Sequence, residues 1–126
     1  MPMAAERPSL RLPRASRLKQ RRDFVEVRLD GQRLVNGCLI ANWKLLPAGS
    51  GSRLGVVTSR KLGAAVLRSR ARRLLRETFR LHQHELQQPV AIVLVARLSI
   101  VGKGLAAVEK DFLRAMRQAN LLKVVA

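Results

Sequence analysis

The sequence predicts one α+β domain, an α/β sandwich in which helices pack on a β-sheet. Val90–Ala96 is a continuous, largely β-branched run, which is typical of a central strand buried on both faces. Residues 38–44 and 53–59 also have the composition of strands, and we expect them to pair as a hairpin. Helical spacing of apolar residues marks three further segments, residues 18–30, 66–85 and 103–122. The predicted order is therefore α-β-β-α-β-α.

The first helix is predicted from an apolar face that includes Leu18 and Val27, and from Gly31, which suits a C-terminal stop. Phe24 on this helix has two interpretations: core packing, or a partly exposed ring that stacks on an unpaired RNA base. Residues 1–17 are rich in proline and arginine and lack a sustained apolar period. They predict a flexible basic arm, with or without non-specific RNA affinity, ahead of a folded domain at residues 18–126.

The remaining elements complete the predicted core. Trp43 is interpreted as a core or sheet residue, with base stacking as the alternative. Cys38, the one cysteine, lies in an apolar run and is interpreted as a buried small residue rather than a reactive thiol. A single cysteine excludes an intrachain disulfide and a cysteine-based zinc cluster. The unit from residues 53–59 through the second helix to Val90–Ala96 is typical of a βαβ crossover.

Charge gives the first indication of a partner. The 126 residues include 25 Lys or Arg against 8 Asp or Glu, so the net charge is +17, while 48% of the residues are hydrophobic and support a folded core. Self-repulsion of this size favours binding to a polyanion, with nucleic acid as the first candidate and an anionic membrane surface as the second. No apolar run approaches the roughly 18–20 residues of a membrane span, and no signal-peptide pattern is present, so we expect a cytoplasmic protein.

The positive charge is most concentrated between residues 60 and 80, which contain eight Lys or Arg and one acid, Glu77. At about 100° per residue, one side of this helix carries Leu67, Ala71, Leu74, Leu75 and Thr78. The other side carries Ser69, Arg72, Arg73, Arg76 and Arg80. Like charges four residues apart repel, so a bound polyanion is favoured over a merely solvated face.

Catalytic chemistry by side chains is not predicted. The acidic residues are scattered, and His82 and His84 are two residues apart on a predicted helix, so they point to different faces. No pattern of nucleophile and base, and no metal-binding motif, is present. We expect no catalytic residue and no protein-held metal ion.

Residues 60–77, RKLGAAVLRSRARRLLRE, resemble the signature of the bacterial ribonuclease P protein component, Lys-Lys-x-Gly-x-Ala-Val-x-Arg-Asn-Arg-x-Lys-Arg-x-x-Arg-Glu. Asp23-Phe24 before Gly31, the Leu-Gly-Val at residues 54–56 and Ala96-Arg97 extend the resemblance over roughly residues 18–120. The sequence differs at Ser69, where the family has Asn, and at Ala64, where it often has a polar residue. Asn42 aligns with a family aromatic, and the neighbouring Trp43 would face the other side of the sheet.

The resemblance implies a sandwich like the second domain of ribosomal protein S5, with a left-handed βαβ crossover. It also implies that the catalyst is an RNA, and that the protein, a monomer apart from the ribonucleoprotein, has no membrane role. The holoenzyme removes the 5′ leader of precursor tRNA. The protein binds that leader and raises the affinity for substrate and for Mg²⁺, which is bound mainly by the RNA.

Carried over by position, the family's RNA contacts fall on the basic helix and the turn before it. The predicted RNA-binding residues are Arg60, Lys61, Arg68, Ser69, Arg70, Arg72, Arg73, Arg76 and Arg80. A separate cleft for the single-stranded leader would be lined by Phe24, Ile40 and Asn42.

Three rival interpretations compete with this one. A small basic ribosomal protein fits the composition, but the ordered signature and the short N-terminal arm argue against it. A helix-turn-helix DNA binder conflicts with the strong strand after the basic helix. A protein-only nuclease would need paired carboxylates, which the sequence lacks.

Overall fold

The structure, a computed structural model, describes residues 16–18 and 20–123, so residues 1–15 of the predicted arm lie outside it. Within the described residues, three α-helices pack on one four-stranded sheet, which confirms the α+β class. The elements are α1 (Arg21–Asp30), β1 (Gln32–Asn36), β2 (Leu39–Leu45), β3 (Arg53–Val57), α2 (Ala65–His82), β4 (Val90–Ala96) and α3 (Leu105–Gln118). None of the helices in this part of the chain combines the length and apolar character that a membrane crossing requires.

The sheet has the order β1-β2-β4-β3, with β4 antiparallel to β2 and parallel to β3. The prediction of a central strand at Val90–Ala96 is therefore confirmed. Because α2 connects the parallel neighbours β3 and β4, the βαβ unit is confirmed as well. Its left-handedness stays a prediction of the family resemblance.

The predicted hairpin between residues 38–44 and 53–59 is wrong, because β4 lies between those two strands. The hairpin partner of β2 is β1, a strand missing from the predicted order. Gln32–Asn36 is short and mostly exposed, with only Asn36 buried, so it carries little apolar signal. The tight β1–β2 turn depends on Gly37 at φ 54, and the Asp111 carboxylate accepts a hydrogen bond from the Cys38 backbone N–H at 3.0 Å.

The main core lies between one face of the sheet and helices α2 and α3. Trp43 is buried there, 5% exposed, which confirms its interpretation as a core residue. Phe79 of α2 meets Phe112 of α3 edge to face, with ring centroids 6.4 Å apart. Cys38 is fully buried, and burial together with the Asp111 carboxylate raises the pKa of its thiol to about 12. Cys38 is thus a structural residue, as predicted, because the nucleophilic thiolate does not form near neutral pH.

On the opposite face of the sheet, α1 is the one helix that the described residues place, and Leu18 just before it is buried in the same cluster. Val27 packs there on Ala91 and Val93 of β4. Lys44 of β2 holds the helix from one side, with its Nζ atom 2.7 Å from Glu26 Oε1 and 3.8 Å from Asp30 Oδ2. On its other side, the Phe24 ring lies directly over Gly55 of β3.

Gly55→Ala tests this close approach. A Cβ atom at position 55 would lie 2.5 Å from Phe24 Cε1, so the ring or the helix must move. We expect the free energy of unfolding to fall by about 1–3 kcal/mol, the usual cost of overpacking, in urea denaturation. Gly51→Ala is the matched control, because a Cβ atom there meets nothing within 4 Å. Equal stability of the two variants would contradict the packing.

A second contact joins the end of α2 to α3. His82 Nε2 lies 2.9 Å from Glu109 Oε2, His82 Nδ1 contacts Glu85, and the ring stacks on Phe112. Burial alone would lower the pKa of His82, but the hydrogen bonds to Glu109 and Glu85 raise it above its usual value. The protonated ring is therefore favoured in the folded state.

This raised pKa predicts a pH-dependent contribution of His82 to stability. The contribution is complete below the unfolded-state pKa of about 6.5 and disappears as pH rises through the higher native pKa. His82→Gln should therefore reduce the free energy of unfolding more at about pH 5.5 than at about pH 8.5. Denaturation curves at both pH values measure this, with His84→Gln as the control. A pH-independent loss for His82→Gln would show that the ring acts by packing alone.

Candidate RNA-binding surface

The basic helix begins after a tight turn built by local sequence. The Ser59 side chain accepts a hydrogen bond from the Lys61 backbone N–H at 3.3 Å, and Gly63 adopts φ 108, a conformation that favours glycine. Ala64 precedes α2 without a side-chain cap. Arg60 and Lys61 are exposed in this turn, beside the first turn of the helix.

The two predicted sides of α2 are observed. Ala71, Leu75 and Thr78 are buried against the sheet and α3, together with Phe79, which the predicted face had omitted. Leu67 and Leu74 are half-buried at the edge of this face. On the other side Ser69 and Arg73 are exposed, while Arg72, Arg76 and Arg80 are half-buried. The amphipathic division of the helix is therefore correct.

Arg72 is held in place by neutral acceptors. Its Nη1 atom donates to Thr58 Oγ1 at 2.8 Å, and its Nη2 atom donates to Ser69 Oγ at 3.2 Å. Ser69, the departure from the family's Asn, thus orients an arginine of the same helix. Because neither partner is an acid, the positive charge of Arg72 is not neutralised by these contacts.

The other predicted arginines of α2 have different surroundings. Arg70 Nη1 donates to the Lys103 carbonyl at 2.9 Å and so leans toward α3. Arg80 forms an ion pair with Glu77, with Nη2 2.5 Å from Oε1, and the hydrogen bond to Glu77 raises its pKa. Arg68 is half-buried, and its Nε atom has no hydrogen-bond partner among the described residues. The structure thus places the most available positive charge of α2 around Arg72, Arg73 and Arg76.

The three residues predicted for the leader cleft meet in one place. Phe24, Ile40 and Asn42 line a cleft of about 440 Å³ between α1 and the sheet. Three arginines that were not predicted from the sequence also line it, namely Arg21, Arg28 and Arg33. Arg21 and Arg28 are three and four residues from Phe24, so helical spacing could have placed them on the same face of α1 as Phe24. Arg33 could not be found in this way, because it lies on the unpredicted strand β1. The cleft combines an apolar floor with positive walls.

A second cleft, of about 390 Å³, lies on the other side of α1 and has a different charge. Its lining includes Asp23 and Glu26 as well as Lys44 and Arg53. Lys44 is engaged by Glu26, so this cleft offers less available positive charge than the first. A single-stranded polyanion is therefore better accommodated on the Phe24 side.

A smaller pocket of about 160 Å³ connects the Phe24 cleft with α2. Arg17 and Arg76 line it together with Phe24 and Gly55. Burial lowers the pKa of Arg76, and the neighbouring charges of Arg17 and Arg72 lower it further. The two surfaces predicted separately, helix and cleft, are therefore continuous.

The resemblance of residues 60–77 implies Mg²⁺ bound mainly by an RNA, so the described side chains are not expected to hold the ion. Among residues 16–18 and 20–123, no group of three or more His, Cys, Asp or Glu side chains could hold a metal ion. The described side chains thus do not fit a protein-held magnesium site.

Comparisons with known proteins identify the family of this chain. A family model described as Ribonuclease P matches residues 12–120. The ribonuclease P protein component of Desulfatibacillum aliphaticivorans is 44% identical over 82 residues, which cover 64% of this chain and 68% of that protein. The one from Syntrophomonas wolfei is 33% identical over 110 residues, covering 87% and 92%.

Solved structures show the same architecture. The RNase P protein from Thermotoga maritima superposes with a TM-score of 0.71 at 28% identity, over 81% of this chain and 96% of that one. The RNase P protein of Staphylococcus aureus gives a TM-score of 0.78 at 24% identity, over 87% and 100%, which shows the fold. The chain therefore belongs to the family of bacterial ribonuclease P protein components.

Proposed function

We propose that this chain, as the RNA-binding subunit of ribonuclease P in tRNA processing, contacts two RNAs with two parts of one surface. The exposed basic side of α2 binds the RNA of the enzyme. The Phe24 cleft binds the 5′ leader of precursor tRNA. In this role the chain works in the cytoplasm.

The observation that carries this proposal is the convergence of Phe24, Ile40 and Asn42 in one cleft beside the basic helix. These residues come from α1 and β2, and only the fold brings them together. Unpaired bases can stack on the Phe24 ring while the cleft arginines contact phosphates. Because such contacts do not read base edges, the preference for leader sequence should be weak.

The side chains support a positioning role rather than catalysis. The basic surface lacks a carboxylate pair that could activate water, and its arginines bind phosphates without transferring protons at neutral pH. In this proposal the RNA subunit carries the chemistry with Mg²⁺ that it holds. The protein increases the affinity for substrate and for those ions by fixing the leader beside the RNA.

Family membership also favours this role over that of a small ribosomal protein, because the family match extends across almost the whole described fold. Both proteins would bind RNA through basic residues. Only the processing subunit is expected to distinguish substrates with a leader from mature tRNA.

Reconstitution tests the proposed function directly. The chain is mixed with a bacterial ribonuclease P RNA and precursor tRNA at low Mg²⁺, and cleavage at the mature 5′ end is followed. We expect the chain to increase the cleavage rate, and to increase the affinity for precursor tRNA more than for mature tRNA. Absence of stimulation would refute the proposal.

A pair of variants assigns the leader to one of the two clefts. Arg28→Ala removes a positive wall of the Phe24 cleft, and Arg53→Ala removes an arginine from the cleft on the other side of α1. We expect Arg28→Ala to weaken binding of precursor tRNA several-fold and Arg53→Ala to have little effect. The reverse order would place the leader in the second cleft.

The basic side of α2 has its own test, Arg72→Ala combined with Arg73→Ala. Each bound phosphate releases counterions, so the logarithmic salt dependence of binding to the enzyme RNA should become shallower by about one unit for each phosphate that the variant no longer binds. Affinity is measured at several salt concentrations, and circular dichroism confirms folding.

The matched control is Arg114→Ala with Arg117→Ala, two exposed arginines of α3. It removes the same total charge from a different helix. If both pairs change the slope equally, the effect comes from net charge, and the α2 surface is not the interface.

A further inference from the structure

Two hydroxyl groups from different segments of the chain hold the guanidinium of Arg72. Thr58, directly after β3, accepts from Arg72 Nη1 at 2.8 Å, and Ser69, one turn earlier in α2, accepts from Nη2 at 3.2 Å. Thr58 and Arg72 are half-buried, whereas Ser69 is exposed. Each terminal nitrogen of a guanidinium carries a second N–H group, so the fork can still bind a ligand.

The chemical nature of these acceptors distinguishes Arg72 from Arg80, which pairs with the carboxylate of Glu77. A hydroxyl oxygen accepts a hydrogen bond without carrying a negative charge, so Arg72 keeps its attraction for phosphate. Arg70 also donates to a neutral acceptor, the Lys103 carbonyl, but that contact turns it toward α3. Arg72 therefore combines a fixed orientation with an unpaired charge on the basic side of α2.

Fixing Arg72 in the free protein reduces the entropic cost of binding RNA. A long side chain that becomes immobilised in a complex loses rotamer freedom, which weakens affinity by about two- to tenfold. Arg72 has given up part of that freedom already, because Thr58 and Ser69 hold it. Its fork also has one defined orientation, which suits the oxygens of a phosphate. The two hydroxyls can thus increase affinity without contacting the RNA.

Thr58 also joins the two parts of the predicted RNA-binding surface. It lies just ahead of Arg60 and Lys61, in the segment that leads into the turn before α2. Within that turn, the Ser59 side chain accepts from the Lys61 backbone N–H. The bond from Arg72 to Thr58 connects the same segment to the middle of the helix. One hydroxyl therefore helps to set the spacing between the cations of the turn and those of α2.

We infer that Thr58 and Ser69 are positioning residues for recognition of the enzyme RNA, because they hold Arg72 and do not bind the RNA themselves. The inference rests on the proposed function. It gives a role to Thr58, which lies outside the signature at residues 60–77. It also gives an indirect role to Ser69, which was predicted as a direct contact. Arg72 is the residue that contacts phosphate.

A double-mutant cycle in the full chain tests the role of Thr58. Thr58→Val keeps the β-branched shape and removes the hydroxyl, and Arg72→Ala removes the side chain that the hydroxyl holds. Affinity for a bacterial ribonuclease P RNA is measured for the wild type, both single variants and the double variant. We expect Thr58→Val to weaken binding about three- to tenfold. It should have no further effect once Arg72 is absent.

The salt dependence of binding separates positioning from phosphate contact. Arg72→Ala should make the logarithmic slope shallower by about one unit, because one phosphate contact is lost. Thr58→Val should weaken binding at every salt concentration and leave the slope unchanged, because Arg72 still reaches its phosphate. The inference is wrong if Thr58→Val leaves affinity unchanged, or if it weakens binding equally with and without Arg72.

Two further variants separate positioning from general stability. Thr58→Ser keeps the hydroxyl and should bind like the wild type. Ser52→Ala is the matched control, because Ser52 accepts a hydrogen bond from the Val90 backbone N–H at 3.1 Å near the other end of β3. It should leave RNA affinity unchanged, and thermal unfolding followed by circular dichroism compares its stability with that of Thr58→Val. Equal losses of affinity for Ser52→Ala and Thr58→Val would overturn the inference.

Ser69→Ala enters the same cycle and should show a smaller coupling to Arg72, because its bond is longer and more exposed. An effect of Ser69→Ala that persists without Arg72 would show a direct RNA contact and contradict the indirect role. Arg72→Ala reports on the proposed function itself. If it changes affinity and slope while Thr58→Val changes neither, the positioning role fails and the proposed RNA-binding surface stands.

Discussion

The constraint on which the fold depends is the burial of β4 on both faces. Val90, Ile92 and Leu94 are completely buried toward α2 and α3, and Ala91 and Val93 are nearly so toward α1. Two helices cover the first face, but in the described part of the chain α1 is the single helix on the second. A ten-residue helix is only about 15 Å long, so part of that face remains open, with Val35 and Val57 exposed beside it. The Phe24 cleft is the consequence.

Helix α2 meets two demands that usually conflict, since it must pack in the core and keep a high positive charge. Arg72 and Arg76 are four residues apart on α2 and repel each other. Among the described residues, no carboxylate pairs with either arginine to reduce this repulsion. Thr58 and Ser69 orient Arg72 without neutralising it, whereas Glu77 pairs with Arg80 at the far end of the helix. The charge is therefore retained where α2 meets the cleft, as a surface that binds phosphates requires.

The spacing of apolar residues along the sequence correctly predicted helix faces, strand positions and buried residues. The faces of α2, the central position of Val90–Ala96, and the burial of Trp43 and Cys38 all follow from spacing and apolar character. Strand β1 could not be predicted this way, because QRLVN is a short edge strand with only Asn36 buried. The partner of β2 was missed for the same reason. The pairing of β2 and β3 with β4 joins segments that are distant in the chain, so no single segment encodes it.

Some residues of the cleft were predicted from the family resemblance, and others were identified only from the three-dimensional structure. Phe24, Ile40 and Asn42 came from the resemblance, and the fold brings them together. Arg33 and Arg17 could be assigned to the site only from the structure. Arg33 lies on the edge strand β1, and Arg17 pairs with Leu54 of the edge strand β3. Arg21 and Arg28 of α1 face the Phe24 cleft, and the carboxylates Asp23 and Glu26 face the other cleft. One short helix thus separates two clefts of similar size by charge, and the Phe24 cleft has the more positive lining.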